Sequence, residues 1–130
     1  NYLMTELWVQ EFAKKAGHHS SHIHGNQHVS GFYFLKCGFE TSYPLFHDPR
    51  NGAMATKLDL REHGRDEIFS DDPIINFKPQ PGSLIIFPGY LRHEFVLDYG
   101  IKPFRFIHFN IQAVPSEVFK KWVLKKINIK

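Results

Sequence analysis

Cysteine is all but missing. The single Cys37 cannot build an internal disulfide framework, and a lone thiol agrees with a reducing compartment, so the expected location is the cytoplasm. Long apolar runs are missing too: the longest, residues 84–87, falls far short of the roughly 20 residues a membrane helix needs and is stopped by Pro88-Gly89. No membrane partner is expected, and the chain reads as soluble. Internal repeats and low-complexity stretches are absent, which excludes solenoid and linker architectures. Basic charge is not gathered into a patch. The net charge is +3, and only the tail, with Lys120, Lys121, Lys125, Lys126 and Lys130, is marked; with no nucleic-acid-binding motif beside it, this reads as a solvated helix face. Nucleic acid is therefore not an expected partner. A length of 130 residues suits one domain spanning 1–130. The first residue is Asn1 and not Met, which leaves open whether a segment precedes it.

What the chain does have is 13 Phe and 9 His. Aromatic side chains suit a pleated, half-buried surface, so this much Phe points to a strand-rich core. Leu3, Leu7, Trp8 and Phe12 recur at helical spacing before Gly17, which predicts an amphipathic helix over about 2–16. After Pro115-Ser116, the residues Val118, Phe119, Trp122, Val123 and Ile127 repeat that pattern and predict a second helix over about 116–127, with Ser116 as its N-cap. Between them lie short β-branched and aromatic runs separated by Gly, Pro, Asp and Asn. Strands are expected near 19–25, 29–37, 44–47, 54–60, 66–70, 73–79, 83–88, 93–98 and 104–112. Many short strands without alternating helices give a sandwich or barrel, with a β core over about 19–112 flanked by the two helices.

Histidine at this density invites a search for a metal. Residues 17–28 hold five: His18, His19, His22, His24 and His28. On a strand, residues two apart share a face, so His22 and His24 can reach one ion while Ile23 points away. Far downstream, the apolar run at 84–87 enters the Pro88-Gly89 corner and is followed by His93. Two ligands from one strand and a distant histidine make a facial site that leaves coordination positions open. His18, His19 and His28 read as loop or surface residues. Asp48 is the fallback carboxylate, although before Pro49 it reads better as a turn residue bonded to nearby backbone.

The ordered set His22-Ile23-His24, Ser30-Gly31-Phe32-Tyr33-Phe34-Leu35, Phe46-His47-Asp48-Pro49-Arg50, Pro81-Gly82 through Pro88 to His93, and Phe109-Asn110 resembles a family of 2-oxoglutarate/Fe(II) oxygenases. That family is related to the prolyl-4-hydroxylase-like enzymes and occurs in bacteria and phages; the resemblance runs over about 20–112. It implies a double-stranded β-helix (jelly-roll) fold, and Fe(II) and 2-oxoglutarate as cofactors. His22 then matches the first ligand of the superfamily's His-x-Asp pair, His24 the Asp position, and His93 the distal histidine. His24 departs from the wider superfamily and leaves the iron site one unit more positive. Arg105 resembles the arginine that holds the distal carboxylate of 2-oxoglutarate, a task for which a bidentate guanidinium is suited. Strict alternation, however, sets Arg105 with Ile107 and Phe109 and opposite His108 and Asn110, so that role needs a bulge, or else Lys102 takes it. Tyr33 and Tyr43 are further candidate contacts to the co-substrate, with core packing as the plainer reading. Phe32, Phe34, Phe87 and Phe106 are candidates to line the cavity or simply to form core.

The implied activity is a dioxygenase that uses 2-oxoglutarate and O₂ and releases succinate and CO₂ while hydroxylating a substrate the sequence does not name. Two rivals stand beside it. One is a cupin-like three-histidine oxygenase without 2-oxoglutarate, weakened because no Glu follows His24 at the expected short distance. The other is a non-catalytic jelly-roll binding or assembly module, since a fold alone does not establish activity. Loops around 25–29, 38–43 and 61–72 are the expected substrate-facing segments. The two aromatic-bearing terminal helices are expected to pack on the barrel or on another subunit, which leaves a homo-oligomer open.

Overall fold

The computed structural model describes residues 1–12, 17–50 and 74–127. Among the described residues, eight strands run in the order β1 (Tyr2–Phe12), β2 (His19–His22), β3 (Val29–Lys36), β4 (Pro44–His47), β5 (Ile74–Asn76), β6 (Leu84–Pro88), β7 (His93–Phe95) and β8 (Phe104–Ala113), followed by the helix α1 (Ser116–Ile127). They form two four-stranded sheets, ordered β1-β8-β3-β6 and β2-β7-β4-β5, with antiparallel pairing throughout. This is the expected mainly β, jelly-roll architecture. The strands expected near 54–60 and 66–70, and the loop at 61–72, lie outside the described residues.

One expectation is overturned. Residues 2–12 are not a helix but the strand β1, paired with β8 along its whole length from Tyr2↔Ala113 to Phe12↔Phe104. The apolar residues that mimic a helical stripe divide between the two faces of a strand. Trp8 and Phe12 point inward with Gln10, whereas Leu7 and Val9 point out and stay exposed. An irregularity between Met4 and Glu6 further disturbs the period of two. The ladder offered by β8 satisfies the backbone of this segment and overrides its local pattern.

The core lies between the sheets and is almost entirely phenylalanine: Phe12, Phe32, Phe34, Phe87, Phe95, Phe104 and Phe106 are buried. Phe95 stacks on Phe106 at 4.7 Å between ring centroids, and Phe32 meets both Phe87 and Phe95 at 5.0 Å. Of the cavity candidates, Phe32, Phe34, Phe87 and Phe106 all belong to this core. Along β8 burial alternates, with Phe104, Phe106, His108 and Asn110 buried and the residues between them less so. Buried Asn110 is satisfied by Ser30 Oγ, which donates to its Oδ1 at 2.6 Å, and by Glu6, which accepts from its Nδ2. The alternation therefore turns one polar row, headed by His108, toward the space beside the histidines of β2 and β7.

Candidate metal centre

Strand pairing brings the distant histidines together. His22, the last residue of β2, is the cross-strand partner of His93, the first residue of β7, and His93 in turn faces Phe46 of β4. His24 lies just beyond β2, where its backbone N–H donates to Gly89 O at 2.8 Å, while Gly89 N–H donates to His28 O at 3.1 Å. The Pro88-Gly89 corner thus clamps the segment that carries His24. Glycine is needed at 89 because a Cβ there would stand 2.3 Å from Gln27 O, a backbone atom. Gly89→Ala is accordingly expected to push the 24–28 segment off the corner and to weaken metal binding at least tenfold, on the scale of losing an outer-shell support. Calorimetric titration with Fe(II) under anaerobic conditions, beside a melting curve, checks this; an unchanged affinity would refute the clamp.

One nitrogen from each of His22, His24 and His93 lies within 4.8 Å of the others. His24 Nε2 and His93 Nε2 are 3.2 Å apart. Two imidazole nitrogens bound about 2.1 Å from one ion stand roughly 3–4 Å apart, so this spacing suits a shared cation. The rings are oriented by their other nitrogens. His93 Nδ1 lies 2.9 Å from Leu91 O, and His22 Nδ1 lies 2.7 Å from Ser20 O. Each Nδ1 must carry the proton to bond a carbonyl, which leaves Nε2 of both rings as a lone pair.

Burial lowers the proton affinity of the cluster. The buried His93 is pushed down to about 4, mainly by desolvation, with His22 and His24 adding to the effect and its bond to Leu91 opposing it. His24 is lowered for the same first reason and by His22, against the pull of Glu6. At neutral pH both present unprotonated nitrogen. Three imidazoles are a donor set suited to a divalent first-row ion, so these residues fit Fe(II).

His108 is the residue that sequence reasoning missed. It is buried, packs against Trp8, His24 and Phe32 at 4.1, 4.7 and 4.9 Å between ring centroids, and its Nε2 has no hydrogen-bond partner. Burial, then His24 and His93, lowers it to about 3. With His22 and His93 it lines a cavity of about 40 Å³, room enough for ordered water. Its signal was its two-residue offset from Asn110 on a strand whose other inward residues are Phe.

The other candidates are elsewhere. Arg105 points to the outer side of β8 and pairs with Glu11, its cross-strand neighbour on β1. The bulge that its expected role requires falls in β3, between Phe34 and Lys36, and not in β8, so alternation keeps Arg105 away from the histidines. Tyr33 is likewise on the outer side, level with Ile107 and Leu84. Tyr43 lies under Lys78, whose Nζ is 5.6 Å from its ring centre. Asp48 is in the turn it was expected to make, accepting from Arg50 N at 2.7 Å and from the Arg50 guanidinium. His19 touches His22 at 4.3 Å between centroids, outside the group of three, and His28 is engaged by Gln112 and Ala113.

Comparison with known proteins bears on this centre. A family model described as "Putative 2OG-Fe(II) oxygenase" matches residues 6–105. Among curated proteins, none matches the sequence. The fold is similar to an oxidoreductase of the 2OG-Fe(II) oxygenase family from Burkholderia pseudomallei, with a TM-score of 0.64 and 13% identity over 86% of this chain and 45% of that one. It is also similar to EvdMO1, at TM-score 0.63 and 13% identity over 88% of this chain and 28% of that one. A third likeness is to SnoN, a non-heme α-ketoglutarate-dependent epimerase from nogalamycin biosynthesis, at TM-score 0.62 and 8% identity over 86% of this chain and 48% of that one. The chain spans less than half the length of each of these three. Identities this low speak for the shared fold alone. Among the described residues, no helix is long and apolar enough to cross a membrane.

Proposed function

The chain belongs to the 2OG-Fe(II) oxygenase family, and from that premise we propose that His22, His24 and His93 hold one Fe(II) as the centre of a 2-oxoglutarate-dependent dioxygenase. The observation that carries this reading is the meeting of three imidazole nitrogens within 4.8 Å, drawn from two remote stretches of chain. Iron with 2-oxoglutarate and O₂ supplies hydroxylation of a C–H bond, coupled to oxidative decarboxylation of the co-substrate to succinate and CO₂. The chain's part is positional. The strand pair β2–β7 fixes His22 against His93, the Leu91 and Ser20 carbonyls set their tautomers, and the Phe core behind them keeps bulk water from that side. With Arg105 turned outward, no residue is assigned to the distal carboxylate of 2-oxoglutarate.

Anaerobic titration with Fe(II), then 2-oxoglutarate, tests the proposal. A charge-transfer absorption band that needs both additions is the expected result, and the absence of saturable iron binding would end it. One observation favours a second reading, a three-histidine oxygenase that works without 2-oxoglutarate: the guanidinium expected to anchor the co-substrate is paired with Glu11 instead. Saturable iron binding with no spectral response to 2-oxoglutarate would select that reading.

Arg105→Ala sharpens the distinction. In the observed arrangement it removes only a partly exposed ion pair, worth about 1 kcal/mol or less. The variant is expected to bind Fe(II) and 2-oxoglutarate as the parent does. A tenfold or larger loss of 2-oxoglutarate affinity, with iron binding spared, would show that Arg105 does reach the site.

A further inference from the structure

An imidazole that binds a metal is neutral. An ion held by His22, His24 and His93 alone would keep its full double charge in a half-buried site, and unpaired charge taken out of water is costly. One carboxylate is placed to offset it. Glu6 faces inward on β1: at the period of two it shares a side with Trp8, Gln10 and Phe12, and its cross-strand partner is the buried Asn110. Trp8 packs on His108, and His108 on His24, at 4.1 and 4.7 Å between ring centroids, so this side of β1 faces His24 across His108. Next to Glu6, Thr5 Oγ1 lies 2.8 Å from Gln27 Oε1, which ties the same stretch of β1 to the segment 24–28. The carboxylate is also held in place. A carboxylate only accepts hydrogen bonds, so the amide of Asn110 must turn Nδ2 toward Glu6 Oε2 and Oδ1 toward Ser30 Oγ, which donates to it at 2.6 Å. Ser30 and Asn110 are both fully buried beside a phenylalanine core, and a buried polar pair is tolerated only when every member is satisfied. Glu6 completes this one. The electrostatics agree: of His19, His24, His93 and His108, whose proton affinity the fold lowers, only His24 has a carboxylate pulling it upward, and that carboxylate is Glu6.

We propose that Glu6 is a positioning residue of the metal centre, its carboxylate held by Asn110 and Ser30 on the side of His24 to supply the negative charge that the three ligands lack. The inference rests on the reading of His22, His24 and His93 as iron ligands. Glu6 is not a further member of their group. It acts through His24, because a carboxylate near a metal-bound imidazole raises the basicity of the ring and favours the charge of the ion behind it. Glu6 is open to water on its other side, so screening trims the effect without removing it.

Anaerobic Fe(II) titration of the whole chain against a competing chelator, for the parent, Glu6→Gln and Glu6→Asp, tests the proposal. Glu6→Gln keeps an oxygen to accept from Asn110 and removes only the charge. Its Fe(II) affinity is expected to fall about tenfold, the low end for an outer-shell partner, while its melting temperature stays with the parent. Glu6→Asp, with the charge on a shorter arm, should recover part of the loss. The midpoint potential of the bound iron separates charge from shape: losing a nearby negative charge disfavours Fe(III), so Glu6→Gln should raise the potential, which a merely structural role would not do. Glu11→Gln is the control. It takes a carboxylate from the outer side of the same strand, where Glu11 pairs with Arg105, and should bind iron as the parent does. A parent that takes up no iron removes the centre and this inference with it, whereas a parent that binds iron with Glu6→Gln matching it in affinity and potential overturns the role of Glu6 alone. A weaker affinity that comes with a lowered melting temperature and an unmoved potential would also overturn it, as the mark of a residue that only completes the bonding of Asn110.

Discussion

His93→Ala is expected to abolish tight Fe(II) binding, with an affinity loss well beyond the roughly 10–100-fold typical of an outer-shell partner. The reason is geometric. His93 is the cross-strand partner of His22, and its Nε2 lies 3.2 Å from that of His24, so it is the member through which the two halves of the site meet. Its removal leaves His22 and His24, which with only two ligands hold a divalent ion weakly. The substitution also opens a gap beside Phe87, whose ring centre is 4.7 Å away, and a large-to-small change in a core costs about 2–5 kcal/mol. His93→Gln, closer in volume, keeps the metal test apart from the stability loss. His108→Ala is the internal contrast: His108 is outside the group of three, so its loss should leave iron affinity within a few-fold. Competition against a chelator of known affinity, under anaerobic conditions, reads all three. Parent-like iron affinity in both His93 variants would remove the metal centre, and the proposed chemistry with it.

Much of this centre was legible because its signals are local. The spacing His22-Ile23-His24 marked two candidate ligands, although only His22 lies on the strand, and the apolar run into Pro88-Gly89 marked where His93 would emerge. Every strand from β2 to β8 lies within or close to its expected span. The outward turn of Arg105 was legible too: alternation from Asn110 back along β8 sets it on the outer face, and the irregularity in its pairing lies in β3 and not in β8. What was not legible is β1. A strand with apolar residues on both faces and an irregularity between Met4 and Glu6 loses the period of two, and Leu3, Leu7, Trp8 and Phe12 then imitate a helix. The pairing with β8 that decides the matter joins residues about a hundred positions apart, which no local window contains. His108 was obscured for a related reason. Its importance comes from Trp8 on that unforeseen strand and from His24 on a loop, and neither contact follows from its own neighbours in sequence.

The same burial that readies the histidines for metal makes the metal-free chain sensitive to acid. Unfolded, His93 and His108 would take up protons near their ordinary value of 6.5; folded, they resist until the pH falls to about 4 and about 3. Above 6.5 neither state binds these protons, and the stability tied to them is fully present. As the pH falls below 6.5 the unfolded chain binds protons that the folded chain refuses, so stability declines until the folded groups themselves titrate. A tenfold difference in proton affinity is worth about 1.4 kcal/mol, so two groups displaced this far amount to several kcal/mol, a large share of the roughly 5–15 kcal/mol that holds a typical domain together. Urea denaturation of the metal-free chain is therefore expected to show a midpoint that is level above about pH 7 and falls steeply toward pH 4. Bound Fe(II) should lift the curve at neutral pH by mass action and lose that advantage as protons compete for the same nitrogens. His108→Phe supplies the decisive comparison. It keeps an aromatic ring against Trp8 and Phe32 while removing both the titration and the unpartnered Nε2, so it should flatten the decline between pH 6.5 and 4. An equally steep decline in that variant would mean that His108 is not the group whose burial resists protonation, and that the acid sensitivity is set elsewhere in the fold.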